Sequence, residues 1–262
     1  MPSGLITLTT DFGQADHFVG VMKGVILGIA PRARIVDISH EIAPYNVTDA
    51  SFVIAQAWRY FPKRSIHVVV VDPGVGSSRR PLLAEAGGHF FVAPDNGVLS
   101  IIYEVSPHKV RVISNSKLMR KEISRTFHGR DVFAPAAAHL ASGIAPAQFG
   151  KLIRDYVRSW SIKPLRLGEQ VWRGTILKAD CYGNLITNFH IDEFADIKTR
   201  PFELRVGAAR IRRLALNYAE TEIGELFVIA GSSGYVEIAA NQAAAALRLG
   251  CSAGAAIELE LF

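Results

Sequence analysis

Four groups of polar residues follow apolar runs, and their side chains are of types that could do chemistry together. The groups are TTDFGQAD (9–16), DPGVGSSRR (72–80), TFHGRD (126–131) and KADCYGNLITN (178–188). An arginine beside a bound water stabilises hydroxide, while an aspartate and a histidine can orient the water or accept its proton. The combination of Asp, Arg and His indicates a reaction that activates water directly.

Patterns typical of other chemistries are absent from the sequence. H-x-x-x-H and H-E-x-x-H, which supply zinc ligands at helical spacing, do not occur, and neither does the G-x-S-x-G of serine hydrolases. The first loop also lacks G-x-G-x-x-G, and no Walker A lysine motif is present. We therefore expect neither a metal ion, nor a cofactor, nor a covalent nucleophile.

Each polar group taken alone also has a structural interpretation. Asp16 could cap the helix that follows it, because aspartate is a preferred N-cap residue. Asp72 begins a plausible Asp-Pro-Gly turn, and Gly183-Asn184 are typical residues of a turn between two strands. His128 lies in a predicted loop, where many histidines have no catalytic role. The four groups indicate chemistry only in combination.

The first half of the chain contains the elements that must position most of these residues. Apolar, β-branched runs predict strands at 5–10, 34–39, 66–72, 89–97 and 109–115. Between and after them, the patterns at 18–30, 46–61 and 131–143 predict helices, with Asn46 or Thr48 able to cap the second. Alternation of this kind predicts a mainly parallel sheet flanked by helices, in which ligands bind at the carboxyl ends of the strands. Asp11 and Asp72 both follow such ends.

From about residue 165 the chain changes to short strand-like runs separated by Gly, Asn and Asp turns. These runs predict a C-terminal all-β domain resembling a small barrel, with one helix candidate at 241–250. We expect two domains, an α/β domain at 1–160 and a β-barrel-like domain at 165–262, joined by a connection at 154–169.

Composition restricts the classes of protein to which the chain can belong. It has 262 residues, 49% of them hydrophobic and 20% charged, and no apolar run reaches the length of about 20 residues that spans a bilayer. The net charge of +5 comes from scattered basic residues without interleaved aromatics, so we expect no nucleic-acid or membrane partner. Two cysteines and the lack of a secretory signal pattern predict a cytoplasmic protein.

The motifs occur in the order seen in one known family. They are TTDFGQADHFVGVMKGVI, SHEIAPYNVTDA, VVDPGVGS, APDNGVLS, TFHGRDVFAP, DCYGNLITN and GSSGYVEIAAN, and they span residue 5 to about 250. With these motifs in register, the chain resembles the S-adenosyl-L-methionine (SAM) hydroxide adenosyltransferases. These adenosine-forming SAM hydrolases are relatives of the fluorinase and the chlorinase.

The resemblance implies a fold, an assembly and a reaction. The fold is an N-terminal α/β domain and a C-terminal β-barrel, and the assembly is a homotrimer in which the second domain completes the site of a neighbouring subunit. The reaction is SAM + water → adenosine + L-methionine, with hydroxide attacking the ribose C5′ in line with the departing sulfur and with no cofactor.

The resemblance also implies roles for individual residues. Asp72, Arg79 and His128 match the set that activates water, with Arg80 as a rival for Arg79. The matched binding residues are Asp11 for the ribose hydroxyls, Asp16 and Asp180 for the methionine ammonium, Ser232 for its carboxylate, Asn184 for adenine, and Tyr45 and Phe127 for the walls around the nucleoside.

Two features favour the water-using branch over the halogenases. The long insertion that halogenases carry before the segment matching APDNG is missing, and the carboxylate of Asp72 would repel a halide. Ser233 stands where halogenases have an arginine, so the sequence leaves open how the methionine carboxylate is neutralised. Two other functions also remain open, a SAM or adenosine sensor without turnover and a metal-dependent phosphoesterase using Asp11, Asp16 and His128.

Overall fold

A computed structural model describes residues 4–158 and 162–262 of the chain. The chain divides into two compact units, Met1–Ser161 and Ile162–Phe262, which we call unit 1 and unit 2. The predicted ends of the first domain, at 1 and 160, and part of the predicted connection lie outside the described residues.

Unit 1 is built on a seven-stranded sheet with the order β2-β1-β3-β5-β4-β6-β7. Its strands are β1 (Leu5–Thr10), β2 (Arg34–Ser39), β3 (Ile66–Val70), β4 (Pro81–Ala86), β5 (His89–Pro94), β6 (His108–Val112) and β7 (Leu152–Ile153). Its α-helices are α1 (Phe18–Ile29), α2 (Val47–Ala57), α3 (Ser100–Val105) and α4 (Ala134–Ala141).

The sheet is mixed, so the prediction of a mainly parallel sheet holds for one half of it. Strands β2, β1, β3 and β5 pair in parallel, whereas β4, β6 and β7 join by antiparallel pairing. The antiparallel half begins with the β4–β5 hairpin, whose turn is Gly87-Gly88, both with positive φ. The sequence prediction omitted β4, since PLLAEA was not assigned to a strand.

Helices lie on both faces of this sheet. Alternate residues of β3 point to opposite faces, and both sets are buried. Ile66, Val68 and Val70 belong to the core that α1 and α4 cover. His67 points to the other face, where it stacks on Phe91. Because β3 is buried on both faces, it fixes the position of the loop that follows it.

A chain of buried polar groups runs through that second face. Thr7 Oγ1 lies 2.8 Å from His67 Nδ1, and His67 Nε2 lies 3.1 Å from His89 Nδ1. Burial lowers the pKa of His67 to about 3 and that of His89 to about 4. The two imidazoles are therefore neutral at pH 7, and they act as internal hydrogen-bonding groups of the fold.

Unit 2, all of whose residues from 162 to 262 are described, is formed by nine strands, one short α-helix and two 3₁₀ turns. The strands are β8 (Leu165–Arg166), β9 (Val171–Ala179), β10 (Leu185–His190), β11 (Phe202–Val206), β12 (Ala209–Ile211), β13 (Leu214–Ala215), β14 (Leu226–Ala230), β15 (Tyr235–Ala240) and β16 (Ala256–Leu261). The helix α5 covers Ala245–Leu249, inside the segment predicted as helical.

The strands of unit 2 form one sheet in the order β12-β11-β16-β9-β10-β15-β14-β13, with β8 beside β9. Every pairing is antiparallel except that of β13 with β14. Strand β12, at one end of this order, also lies against β14 near the other end, so the sheet curls. Its interior is a separate apolar core containing Phe189, Leu204, Val236 and Leu259.

Candidate active site

The loop after β3 folds back so that Arg79 contacts Asp72. Arg79 Nε donates to Asp72 Oδ1 at 2.9 Å, and Arg79 Nη2 donates to Asp72 Oδ2. This two-pronged contact matches the planar guanidinium to the planar carboxylate and fixes both side chains. The two side chains are 8% and 5% exposed, so water screens their charges little.

A glycine lets this loop dock on the segment that carries His128. Gly76 has φ +77°, and a Cβ there would overlap the carbonyl oxygen of Arg125. Only a residue without a side chain permits both the positive φ and this close backbone approach. The second glycine of DPGVG therefore sets the distance between the Asp72 loop and the segment at Arg125, which precedes His128, the N-cap residue of a π-helix at Gly129–Phe133.

His128 completes a cluster with the ion pair. Arg79 Nη2 lies 2.7 Å from His128 Nδ1, and since guanidinium can only donate, Nδ1 is the acceptor and Nε2 carries the proton. Burial lowers the pKa of His128 and the Arg79 charge lowers it further, against the opposing charges of Asp72 and Asp131. The imidazole is thus held neutral at pH 7.

One nitrogen of Arg79, Nη1, is buried and has no hydrogen-bond partner among the described residues. A buried donor without a partner is costly, and such groups mark places where a bound molecule supplies the acceptor. A positively charged donor beside a carboxylate and a neutral imidazole is suited to hold and deprotonate water.

Arg80, the rival for Arg79, points elsewhere. It donates to Asp95 Oδ2 at 2.6 Å and to both carboxylate oxygens of Asp155 at 3.0 Å. These contacts tie the segment around residue 155 to the sheet. The geometry therefore places Arg79, and not Arg80, with Asp72 and His128.

A cavity of about 340 Å³, which we call the first cavity, opens beside this cluster. Five residues singled out from the sequence line it: Asp11, Tyr45, Asp72, Phe127 and His128. Asp11 Oδ2 accepts a hydrogen bond from the backbone N–H of Tyr45 at 2.9 Å, which fixes the orientation of the carboxylate. Tyr45 itself has φ 65° and an exposed ring.

Asp16 does not join this group. It is exposed and does not line the first cavity. Its alternative interpretation as a helix cap is wrong, because the N-cap position of α1 is His17, which has helical dihedral angles and no side-chain cap bond. At α2, by contrast, Asn46 caps the helix by accepting from the N–H of Asp49.

Unit 2 contains a larger cavity of about 760 Å³, the second cavity. Three of the predicted binding residues, Asp180, Asn184 and Ser232, line it. Glu237 and Tyr218 line it as well, and the sequence analysis did not single them out. Glu237 could have been noticed, because it is the charged residue inside the otherwise apolar strand YVEIAA.

The Asp180 turn is organised by its own carboxylate. Asp180 Oδ1 accepts from the backbone N–H groups of Tyr182 and Asn184, and Oδ2 accepts from the Asn184 side-chain amide at 3.0 Å. Gly183 has φ +82° and approaches Ala244 closely. Asp180 therefore holds Asn184 in a fixed orientation at the cavity wall.

The described part of the chain contains no group of three or more His, Cys, Asp or Glu side chains arranged to hold a metal ion. Within the same residues, no helix combines the length and the apolar character needed to cross a membrane.

The chain thus combines a mixed α/β unit that carries an Asp–Arg–His cluster with a second, sheet unit that has its own cavity. Two family models match the two parts in turn. The SAM hydroxide adenosyltransferase N-terminal domain matches residues 6–150, and the C-terminal domain of the same family matches residues 174–258. The chain belongs to the SAM hydroxide adenosyltransferase family, as the resemblance predicted.

Individual relatives agree with this membership. The (R)-S-adenosyl-L-methionine hydrolase of Salinispora tropica is 34% identical, covering 97% of this chain and 96% of its own. The protein of the same name from Thermus thermophilus is 33% identical, covering 95% and 97%. A crystal structure of an uncharacterized conserved protein from Thermotoga maritima superimposes with a TM-score of 0.90 at 38% identity, covering 97% of this chain and 99% of that one.

Proposed function

We propose that this protein hydrolyses SAM to adenosine and L-methionine. The C5′–O bond forms as the C5′–S bond breaks, the bonding electron pair stays on sulfur, and the sulfonium becomes a neutral thioether. One proton of the attacking water leaves to the protein and then to solvent. Because the leaving group is neutral, it needs no general acid, and the enzyme must supply only a nucleophile and its alignment.

The observation that carries this proposal is the buried Asp72–Arg79–His128 cluster with its unused Arg79 donor. In the proposed mechanism Asp72, which lines the first cavity, accepts the proton of the water, and the charge of the adjoining Arg79 guanidinium stabilises developing hydroxide. His128 is neutral, so it accepts a hydrogen bond from Arg79 without adding a second positive charge to the site. None of these steps needs a metal ion.

The remaining predicted residues have proposed binding roles. We assign the ribose hydroxyls to Asp11, adenine to Asn184 and the methionine carboxylate to Ser232. Tyr45 and Phe127 form walls for the nucleoside, and Asp16 and Asp180 face the ammonium group. The support for Asp11, Tyr45 and Phe127 is that they share the first cavity with Asp72, whereas Asp16 has no such support.

The carboxylate of Asp72 favours water over halide as the nucleophile. Arg79 already balances the charge of Asp72, so a chloride or fluoride ion gains little attraction from the ion pair and is repelled at short range by a carboxylate that is 5% exposed. Water experiences no such repulsion and gains a proton acceptor.

The test is incubation of the full-length protein with SAM, with and without a chelator, following adenosine and methionine by chromatography. We expect equimolar release of both, unchanged by the chelator. Bound but intact SAM would instead indicate a sensor, and activity lost with the chelator would indicate metal chemistry. Since the hydrolase relatives are named for the R form of SAM, both sulfonium epimers should be assayed, and we expect the R epimer to react faster.

We also propose a homotrimer in which unit 2 of one subunit completes the site of the next. The support is that the predicted binding residues are divided between two cavities, one on each unit. Mixing Asp72→Asn and Asn184→Ala subunits, after dissociation and reassembly, should restore part of the activity at SAM concentrations too low for the Asn184→Ala protein to react. A protein that sediments as a monomer, or mixtures without restored activity, would contradict the trimer.

A further inference from the structure

The loop after β1 carries Asp11, and His40 holds this loop on both sides of Asp11. On one side, Thr10 Oγ1 lies 2.8 Å from His40 Nδ1. On the other side, the backbone N–H of Gly13 donates to the carbonyl oxygen of His40 at 2.8 Å. His40 comes directly after β2, which pairs in parallel with β1, so both contacts join the ends of neighbouring strands. The backbone at Asp11 is therefore attached to His40 before and after the aspartate.

The ring of His40 is buried between two polar groups. It is 2% exposed, and its Nε2 lies 3.1 Å from Asp37 Oδ1, while Lys23 Nζ donates to Asp37 Oδ2 at 2.6 Å. A buried imidazole is costly unless polar partners compensate it, and an apolar residue would fill the same space without that cost. The contacts with Asp37 and Thr10 therefore fix the orientation of the ring and account for a histidine at this position.

The segment that begins at His40 also contacts the carboxylate of Asp11. The backbone N–H of Tyr45, further along this segment, donates to Asp11 Oδ2 at 2.9 Å. A carboxylate can accept several hydrogen bonds, so this contact orients Asp11 and leaves acceptor capacity for a ligand. Asp11 and Tyr45 line the first cavity, whereas His40 is not among the described residues that line it. His40 can thus influence a ligand only through the residues that it holds.

Asp37, His40 and Thr10 have residue types that occur in catalytic triads, but their placement excludes that role. Thr10 is 0% exposed and is not among the described residues that line the first cavity, so its hydroxyl does not reach a ligand. Its Oγ1 also accepts from the backbone N–H of Phe12 at 3.3 Å, within the loop itself. The three side chains therefore hold the Asp11 loop in place and make no bond to a substrate.

We propose that His40 is a positioning residue for Asp11, and that through Asp11 it sets the affinity of the first cavity for the two ribose hydroxyls of a nucleoside. This inference rests on the proposed function, in which Asp11 binds those hydroxyls. Two hydrogen bonds from neighbouring hydroxyls to one carboxylate require a fixed distance and angle. Loss of the contact between His40 and Thr10 frees the loop at Asp11, so both hydrogen bonds should weaken together.

The test is a ligand-observed NMR titration of the full-length protein, a method that measures weak binding. The two ligands are adenosine and 2′,3′-dideoxyadenosine, which lacks both ribose hydroxyls, and neither contains a sulfonium that could react. His40→Leu should weaken adenosine binding about tenfold, as expected when hydrogen bonds to a charged group are lost, and should change dideoxyadenosine binding less than about twofold.

Two further variants serve as controls. His40→Asn places an amide near the position of Nδ1, where it can still bond to Thr10, and adenosine binding should stay within about threefold of the wild type. His139→Leu, which alters a partly buried histidine on α4, should change the binding of neither ligand. An asparagine variant as weak as the leucine variant would show that the contact with Thr10 does not position Asp11.

Equal weakening of both ligands by His40→Leu would show that His40 only supports the cavity, and unchanged adenosine binding would show that Asp11 is positioned without it. Either result overturns the inference. If the leucine variant does not fold, Thr10→Val removes the same contact from its other side, and the same contrast between the ligands is expected. Wild-type protein that binds adenosine without hydrolysing SAM would refute the proposed function and leave this comparison decisive. Wild-type protein that hydrolyses SAM but binds both nucleosides equally would overturn this inference alone.

Discussion

The two cavities differ in how their charges are balanced. Beside the first, Asp72 and Arg79 neutralise each other and His128 is held uncharged, so these groups are fixed by one another, while Asp11 on the same cavity accepts from the N–H of Tyr45. In the second, Asp180 and Glu237 face a space whose described lining has no basic side chain. The Asp72–Arg79–His128 cluster, whose charges compensate each other, is suited to act on one atom of a ligand. The second cavity, which has acidic but no basic side chains in its described lining, is suited to attract a cation.

This difference indicates that the reaction takes place at the Asp72–Arg79–His128 cluster and that the second cavity contributes mainly to substrate binding. Preorganised, buried charges can stabilise a developing hydroxide without reorganising, because each one is already held by hydrogen bonds. Uncompensated acids gain most when a positively charged substrate arrives, and SAM carries both a sulfonium and an ammonium group. Changes in the Asp72–Arg79–His128 cluster should therefore lower turnover, and changes in the second cavity should lower affinity.

The largest effect should come from Asp72→Asn. Removing the proton acceptor while keeping the shape should lower kcat about 10³-fold, within the range for loss of a general base. The dissociation constant for SAM, measured by calorimetry, should change less than threefold. Asp192→Asn removes the same charge from an exposed position and should behave like the wild type. Turnover of Asp72→Asn at the wild-type rate would show that water is not activated at this cluster.

His128→Ala should lower kcat about 10²-fold and also change the pH profile. The pKa of His128 lies below its ordinary value of 6.5, because burial and Arg79 disfavour the charged form. If the neutral form is the active one, kcat/KM should decline as pH falls, with the midpoint of the decline below pH 6.5.

In the His128→Ala protein, this decline of kcat/KM at low pH should be lost or should move to a different pH. His139→Ala, which alters a partly buried histidine on α4, should keep it. A wild-type midpoint above 6.5 would contradict the proposed role, because it would require a histidine stabilised in its charged form.

Much of the first cavity was predictable because its signals are local. β-branched runs followed by acids predict strands that are followed by a carboxylate, and β3 is followed by Asp72, which lines the first cavity. The β4–β5 hairpin was not found, although Gly87-Gly88 is a turn signal, because the short apolar run of β4 lacks the β-branched residues that identify β3. Its omission is why the sheet was expected to be mainly parallel.

The second cavity was harder to predict because its properties depend on pairing across strands. That Glu237 faces a cavity follows from its register with Ile186 and Ile229, which the sequence does not state. The hydrogen bonds that the Asp180 carboxylate accepts within its own turn depend on the directions of the backbone N–H groups of Tyr182 and Asn184. The buried pair His67 and His89 is a similar case, since residues 22 positions apart meet only once β3 and β5 are paired.

Gly76→Ala tests whether the spacing of the two loops matters for chemistry. The added methyl group would overlap the backbone at Arg125 and would sit at φ +77°. The Asp72 loop must therefore move away from the segment at Arg125 that precedes His128. We expect kcat to fall about tenfold or more, with the SAM dissociation constant nearly unchanged, because small misplacements of reacting groups are costly. Gly24→Ala, on α1 with open space around it, is the matched control. An unaltered kcat would mean that the loops are aligned by other contacts.

The smallest expected effect is in the second cavity, from Gly231→Ala. A methyl group there would displace the Glu237 carboxylate without removing any charge. We expect SAM to bind about threefold to tenfold more weakly, up to ~1.4 kcal/mol, while kcat at saturating SAM stays close to that of the wild type. Gly168→Ala, in open space on the same unit, should leave both values unchanged. If Gly231→Ala lowered kcat and left affinity intact, the division between a chemical cavity and a recognition cavity would be wrong, because the second cavity would then act on the transition state and not on the bound substrate.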